Sequence, residues 1–369
     1  MTSDHHEREI DHLEPHELVK LIGTESEPYL LDVREPDEVA AWSIAGAVNI
    51  PLGQLSHRSA EIPTDRHVVV LCASGSRSRA ACRSLARDGL RVSNLAGGMR
   101  GWSTVYDEVE IQVGGATVIQ IRRRAKGCLS YLVGSENEAL AVDPSLDIEI
   151  YTEAARRHRW DITRVVDTHL HADHLSGARL LASATGASLH LNPADTFHFP
   201  YEPLADQDRF VLPGGVEISV STMHTPGHTE GSTVLMVAGL ALLTGDTLFV
   251  DGVGRPDLAE RAEEFARNLY RSLTERVLGL PGDAVVLPGH HSEAVTVRPD
   301  EPVAATLAGL REDLPALSYD EEEFVAWATS RSTQRPPHYV EIIHANMGRP
   351  RVPEAMLRHL EAGPNRCSA

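Results

Sequence analysis

RVVDTHLHADH, residues 164–174, is the stretch on which the fold of most of this chain turns. An apolar run with the pattern of a buried strand ends directly in His169, His171, Asp173 and His174, four groups able to bind a metal. Such groups are costly to bury unless a metal or a hydrogen-bond network satisfies them. Working outward, the same placement recurs three times. HTPGHT puts His228 after the strand-like VEISVSTMH, LTGD puts Asp246 after LALL, and LPGHH puts His290 after AVVL. These strands, with ASLHL and TVLMVAG, alternate with helical stretches such as RAEEFARNLYRSLTERVLG. That alternation predicts a layered α/β sandwich with ligand-type residues gathered at strand ends.

The set of motifs resembles the metallo-β-lactamase superfamily over about residues 110–295, which implies an αββα sandwich. Two branches compete within it. Glyoxalase II-like thioester hydrolases bind two metals through all the positions just named, with a bridging hydroxide as nucleophile. Persulfide dioxygenases bind a single iron. Carried onto this chain, that resemblance implies Fe(II), one per chain, on His169, His228 and Asp246, a facial triad whose open face takes a persulfide sulfur and O2. His171, Asp173, His174 and His290 then orient ligands or substrate, or on the alternative reading hold the second of two zinc ions. GDTLFVDGVGRPDL, KGCLSYLVG and RPPHYVEIIHANMG are similar to the dioxygenase branch, and Arg255 and Asp257 of GRPD are candidates for a substrate-side or ligand-supporting place. The competing role for that pair is a structural turn. Cys128, on the first strands of this domain, reads as structural, with an approach to the metal face as the alternative; His224 reads as packing or ligand-supporting.

Upstream, YLLDV, VVVLCA and VSNL read as buried parallel strands of a smaller α/β domain. Cys72 closes one of them and opens the loop Ala73, Ser74, Gly75, Ser76, Arg77, before a helix expected over residues 78–88 with Gly89 past its end. Loop N–H groups, a helix N-terminus and the charges of Arg77 and Arg79 favour a thiolate, a persulfide or an oxyanion there. LLDVREPDEVAAWSIAGAVNIP and NLAGGMRGW are similar to the rhodanese signatures over about residues 10–105, with Trp42-Ser43 where Gly-His is usual. The resemblance implies that Cys72 carries sulfane sulfur as Cys–S–SH. Phosphatase relatives of that fold use a longer Cys-x5-Arg loop; Cys72 to Arg77 is the tighter Cys-x4-Arg. Cys82, inside the helix among alanines, reads as a core filler.

The boundaries follow: residues 1–106 as a rhodanese-like parallel-sheet domain, 107–300 as the metallo-β-lactamase-like domain, and 301–369 as its C-terminal helical extension. A chain of 369 residues is long enough for two cores, and 42% apolar with 24% charged residues is ordinary for a globular protein. The net charge of -19 disfavours nucleic acid and anionic membranes as partners. No secretory h-region or apolar membrane span is seen, so a cytoplasmic location is expected. Four cysteines, Cys72, Cys82, Cys128 and Cys367, are too irregular for a disulfide scaffold and read as thiols. His5, His6, His12 and His16 read as solvated. The two domains together imply oxidation of a thiol persulfide, such as glutathione persulfide, by O2 to sulfite, with Cys72 making or using thiosulfate. A two-metal thioester hydrolase and a sulfur-delivery module are the competing readings, and assembly into a homo-oligomer stays an open option.

Overall fold

The structure, a computed structural model, describes residues 10–214, 218–257, 261–292, 294–331, 335, 338–349 and 360; Cys367, His5 and His6 lie outside them. The chain divides into two compact units, the first running to Tyr106 and taking in Arg123–Lys126, the second made of Asp107–Arg122 and the chain from Gly127 onward.

In the first unit, β1 (Asp11–Leu13), β2 (Tyr29–Asp32), β3 (Val48–Asn49), β4 (Val68–Leu71) and β5 (Val92–Leu95) form a sheet in the order β1-β5-β4-β2-β3, with every pair parallel. Its helices are α1 (Pro15–Leu21), α2 (Pro36–Ala41), α3 (Leu55–Arg58), α4 (Ser76–Arg87) and α5 (Gly98–Trp102). A strand buried on both faces reads as a continuous apolar run, and β4 shows why. Val68, Val70 and then Cys72 pack with Ala81, Cys82 and Leu85 of α4, while Val69 and Leu71 pack with Leu18 of α1 and with Met99 and Trp102 of α5. Cys82 is fully buried and burial pushes its thiol up to about 12, as suits a core filler.

The second unit is an αββα sandwich. One sheet, β6 (Tyr106–Val113), β7 (Ala116–Arg123), β8 (Cys128–Ser135), β9 (Glu138–Val142), β10 (Asp161–Val166), β11 (Ser188–Leu191) and β12 (Glu202–Pro203), is ordered sequentially. The other runs from β13 (Arg209–Leu212) through β14 (Ile218–His224), β15 (Thr233–Val237), β16 (Ala241–Gly245) and β17 (Val285–Pro288) to β18 (Ala305–Thr306). Val118, Leu129, Val133, Leu140 and Val142 of the first sheet meet Val220, Leu235, Leu243 and Leu287 of the second in one core. The alternate residues Val234, Leu242 and Val286 turn outward onto helices α8 (Ala262–Arg271), α9 (Leu307–Asp313) and α10 (Glu321–Ser330), the period of two expected of strands. Helices α6 (Glu149–His158) and α7 (Ala178–Thr185) pack on β10, and α11 (Tyr339–Asn346) follows α10.

Three local differences from the sequence reading have physical causes. Helix α4 starts at Ser76, two residues early, because Gly75 takes φ +92 and turns the chain straight into it. Residues 261–279 are not one α-helix: α8 gives way to a π-turn, Ser272–Val277, in which Ser272 Oγ donates to Pro226 O at 2.7 Å. The segment after residue 300 is not wholly helical, since β18 pairs antiparallel with β17. Among the described residues, no helix is long and apolar enough to cross a membrane.

Arg122, with a side chain only 1% exposed, fixes the start of the sandwich. It donates to both oxygens of Asp107 and to the carbonyls of Arg298, Pro299 and Glu301. Arg122→Met keeps the stem and orphans those acceptors, so it is expected to lower unfolding stability by about 2–4 kcal/mol. Chemical denaturation with an unchanged midpoint would contradict this.

Candidate functional site

Both sheets deliver their ligand-type residues where parallel strands end side by side. β9 and β10 pair in parallel through Val142 and Val166, so Asp143 and the segment Asp167 to His174 leave from adjacent strand ends. β16 and β17 pair in parallel through Gly245 and Pro288, so Asp246 and His290 do the same. Crevices beyond the carboxyl ends of parallel strands are where α/β folds place their chemistry. Gly245 is required there: at φ +48, a Cβ would lie 2.4 Å from Thr168 Oγ1.

Six buried side-chain atoms among the described residues have no hydrogen-bond partner: one each on His169, His228, Asp246 and Asp167, and both ring nitrogens of His171. His169 Nε2, His228 Nε2 and Asp246 Oδ2 are buried and have no hydrogen-bond partner, yet His169 lies 3.8 Å and His228 3.4 Å from that oxygen. The far side of each group is held. His228 Nδ1 donates to Arg255 O at 3.0 Å. His169 Nδ1 donates to Thr168 Oγ1 at 2.9 Å, and that hydroxyl donates to Asp143 Oδ2 at 2.8 Å. His290 Nδ1 donates to Asp246 Oδ1 at 2.6 Å. Each ligand is thus pinned in the tautomer that points its lone pair inward. Burial holds His169 and His228 below the usual imidazole range. It works against the Asp246 charge too, but His290 and His169 outweigh it and keep that carboxylate ionised. Two neutral imidazoles and one carboxylate, converging with unpaired lone pairs, fit a divalent metal of the two-His, one-carboxylate kind.

The other four candidates are arranged differently. His171 is turned toward Asp143 Oδ1 at 3.3 Å and Asp167 Oδ1 at 3.8 Å. Burial opposes its charge, but Asp143 and Asp167 outweigh burial and hold it well above the usual range. Asp173 spends Oδ1 on His174 Nδ1 at 3.0 Å and Oδ2 on His290 Nε2 at 2.9 Å. Cys128 Sγ donates to Asp173 Oδ2 at 3.4 Å, so this thiol does approach the cluster, beyond a purely structural place. Burial and Asp173 oppose its ionisation, but His290 and His174 bring it down to about 7. Cys128, Asp173, His174 and His290 form a second compact buried group with the donor set for a metal, as do Asp143, Asp167 and His171.

Arg255 forms a bidentate pair with Asp257, at 2.6 and 2.8 Å. The turn this pair braces carries the Arg255 carbonyl that accepts from His228. Sequence reasoning missed Asp195 and Asn346. Asp195 accepts from Leu170 N, Thr229 Oγ1 and Gly231 N, tying the His169 loop to the His228 loop. Asn346, on α11, donates to His171 O and His174 O and accepts from Ser176 N. Neither residue carries a metal-ligand pattern of its own. The only signal was placement: NPAD after a strand, and HANMG in the C-terminal segment.

In the first unit, Cys72 Sγ accepts from Gly75 N at 3.2 Å and lies 3.3 Å from Ser78 Oγ. Burial raises this thiol, but the hydrogen bonds from Ser78, Ser74 and Gly75 outweigh it and bring it below its ordinary value. The loop proper is Cys72, Ala73, Ser74 and Gly75; Ser76 and Arg77 already belong to α4. Arg77 is taken bidentately by Glu38, both bonds at 2.7 Å, and Cys72 adds to Glu38 in favouring its charge. Gly98 lets α5 close over the loop: Met99 N donates to Cys72 O, and a Cβ on Gly98 would lie 2.2 Å from that oxygen.

Comparison with known proteins separates the two units. Residues 123–290 match the metallo-β-lactamase superfamily and residues 14–104 the rhodanese-like domain. A hydroxyacylglutathione hydrolase from a Polaromonas species is 34% identical over 216 residues, 53% of this chain and 78% of that protein. The chain belongs to the metallo-β-lactamase superfamily. Within it, human "Persulfide dioxygenase ETHE1, mitochondrial" is 29% identical over 239 residues, 59% of this chain and 82% of that protein. Among solved structures, a Staphylococcus aureus metallo-β-lactamase superposes with a TM-score of 0.57 at 26% identity, covering 64% of this chain and 73% of its own. ETHE1 from Myxococcus xanthus shares the fold, with a TM-score of 0.54 at 24% identity over 66% of this chain and 98% of its own. The protein is therefore an enzyme of the metallo-β-lactamase superfamily, homologous to persulfide dioxygenase, with a rhodanese-like domain before it.

Proposed function

We propose that the second unit is a one-iron persulfide dioxygenase and that Cys72 of the first carries sulfane sulfur. The observation that supports this reading is the convergence of three unpaired atoms, on His169, His228 and Asp246, beside Asp173 and His290, whose side chains bond to each other and to His174 and Asp246. A two-metal hydrolase needs Asp173, His174 and His290 as ligands, whereas here they bond to one another and to the outer oxygen of Asp246. Bound by the triad, Fe(II) would supply coordination positions open to a persulfide sulfur and O2. The net reaction takes RSSH, O2 and water to RSH, bisulfite and a proton. The chain's own part is to hold three ligands in fixed tautomers and to keep the Asp246 charge directed inward through His290.

Sulfite links the units chemically. A sulfur passed from Cys72 persulfide to sulfite yields thiosulfate and frees the thiolate. The reverse, attack of Cys72 on the outer sulfur of thiosulfate, loads the cysteine and releases sulfite. The N–H groups of the loop and the Ser78 hydroxyl face the sulfur that bears the negative charge in either direction.

After anaerobic Fe(II) loading, oxygen uptake with glutathione persulfide is expected at one iron per chain, abolished by His169→Ala and kept by Cys72→Ser. Two zinc ions per chain, with thioester hydrolysis and no oxygen uptake, would replace this reading by the hydrolase.

A further inference from the structure

A chain of polar side chains runs from Cys72 to the sheet edge, and it contains one hydrogen too few. Ser78, on the first turn of α4, is fully buried and its hydroxyl faces two acceptors: Cys72 Sγ at 3.3 Å and Asn94 Oδ1 at 2.6 Å. A hydroxyl carries one hydrogen. Asn94 is itself 1% exposed and is the register partner of Val70 on one side and of His12 on the other. Its Nδ2 donates to His12 Nδ1 at 3.2 Å, and His12 is exposed. A buried amide is expensive unless both ends are bonded, so the bond to His12 holds the amide with its oxygen toward Ser78.

We infer that Asn94 is a positioning residue that competes with Cys72 for the Ser78 hydrogen and so limits the supply of thiolate at the sulfur-carrying cysteine. This rests on the reading of Cys72 as the carrier. In the arrangement seen, one hydrogen serves two acceptors, and the shorter contact to Asn94 weakens the bond that Ser78 gives to Cys72. If the amide turns over, Nδ2 donates to Ser78 Oγ and the hydroxyl hydrogen is released toward sulfur, the partner a thiolate or persulfide anion requires. Asn94 thus sets how much of that hydrogen reaches the sulfur without moving the backbone. His12, read from sequence as merely solvated, sets how easily the amide turns.

The inference makes two neighbours act with opposite sign, which a structural role for either would not do. The measurement is the rate of iodoacetamide alkylation of Cys72 across pH in the full chain, read by mass spectrometry on the Cys72 peptide. A change of access scales the plateau of that profile, whereas a change in thiolate stability moves its midpoint. Ser78→Ala removes the donor and is expected to raise the midpoint, with about tenfold less thiolate at neutral pH. Asn94→Leu removes the competitor, fills a similar volume and is expected to lower the midpoint by a comparable factor. His12→Ala, at an exposed position that cannot disturb the core, is expected to lower it, with about threefold more thiolate at neutral pH. Midpoints that move together in Ser78→Ala and Asn94→Leu would overturn the inference, as would a wild-type midpoint in His12→Ala. Cyanide-labile sulfur after thiosulfate treatment is measured in parallel. Absence of loading in the wild-type chain would remove the carrier reading, while the midpoints still judge Asn94.

Discussion

On the one-iron reading, Asp246→Asn is expected to weaken iron binding by more than about a hundredfold and to abolish oxygen uptake with it. Of the three convergent ligands only Asp246 brings charge, since burial keeps both imidazoles neutral. An amide oxygen in its place leaves a dication facing three neutral donors in a buried site. The substitution also strips His290 of one of its two carboxylates, leaving that ring charged against Asp173 alone. The informative control is Asp173→Asn. On the one-iron reading Asp173 bonds to His174, His290 and Cys128 and is not a ligand, so iron is retained within about tenfold and the stoichiometry stays at one. A chain that binds two metals loses one of them in Asp173→Asn. Metal analysis of the two variants therefore decides between dioxygenase and hydrolase without an activity assay.

Much of the architecture is legible in the sequence because buried strands announce themselves. The apolar runs at β4 and β16 are continuous where both faces are covered, and they lead directly into Cys72 and Asp246. Short edge strands are different. β1, β3, β12 and β18 are three residues long or fewer and exist because a neighbour's register offers them hydrogen bonds, so no run of their own betrays them. The same division holds at the site. Four ligand-type residues within residues 169–174 are visible as a cluster, but which of them turns inward depends on partners far away in sequence. His171 is drawn aside by Asp143 and Asp167, Asp173 is held by His290, and Cys128 is brought in by β8. Arg77 makes the same point in the first unit: its spacing from Cys72 suggests a cationic loop wall, but the spacing does not show that Glu38, 39 residues upstream, holds it bidentately.

Asp32→Ala is expected to be the most destabilising single change in the first unit. Asp32 is fully buried at the end of β2 and Arg34 is 4% exposed. The carboxylate takes the guanidinium through Nε at 3.1 and 3.0 Å and Nη2 at 2.6 Å. Removing one partner of a buried pair leaves an uncompensated charge, at a cost of about 3–5 kcal/mol. Domain stabilities are about 5–15 kcal/mol in total, so the rhodanese-like unit is left marginal. Thermal unfolding should show a loss confined to the transition that carries Cys72 sulfur loading, with iron binding unchanged. The damage extends beyond stability, because Arg34 also donates to Glu38 O and Trp42 O and so anchors the C-terminal end of α2. Glu38 in turn holds Arg77 at the start of α4 and is kept near 2 by that guanidinium. The double change Asp32→Leu with Arg34→Met replaces a buried pair by apolar groups and is expected to recover most of the stability. It should not recover sulfur transfer, since the anchor of α2 is still missing. Full recovery of transfer in the double variant would show that Arg34 serves only the core, and that Glu38 and Arg77 find their places without it.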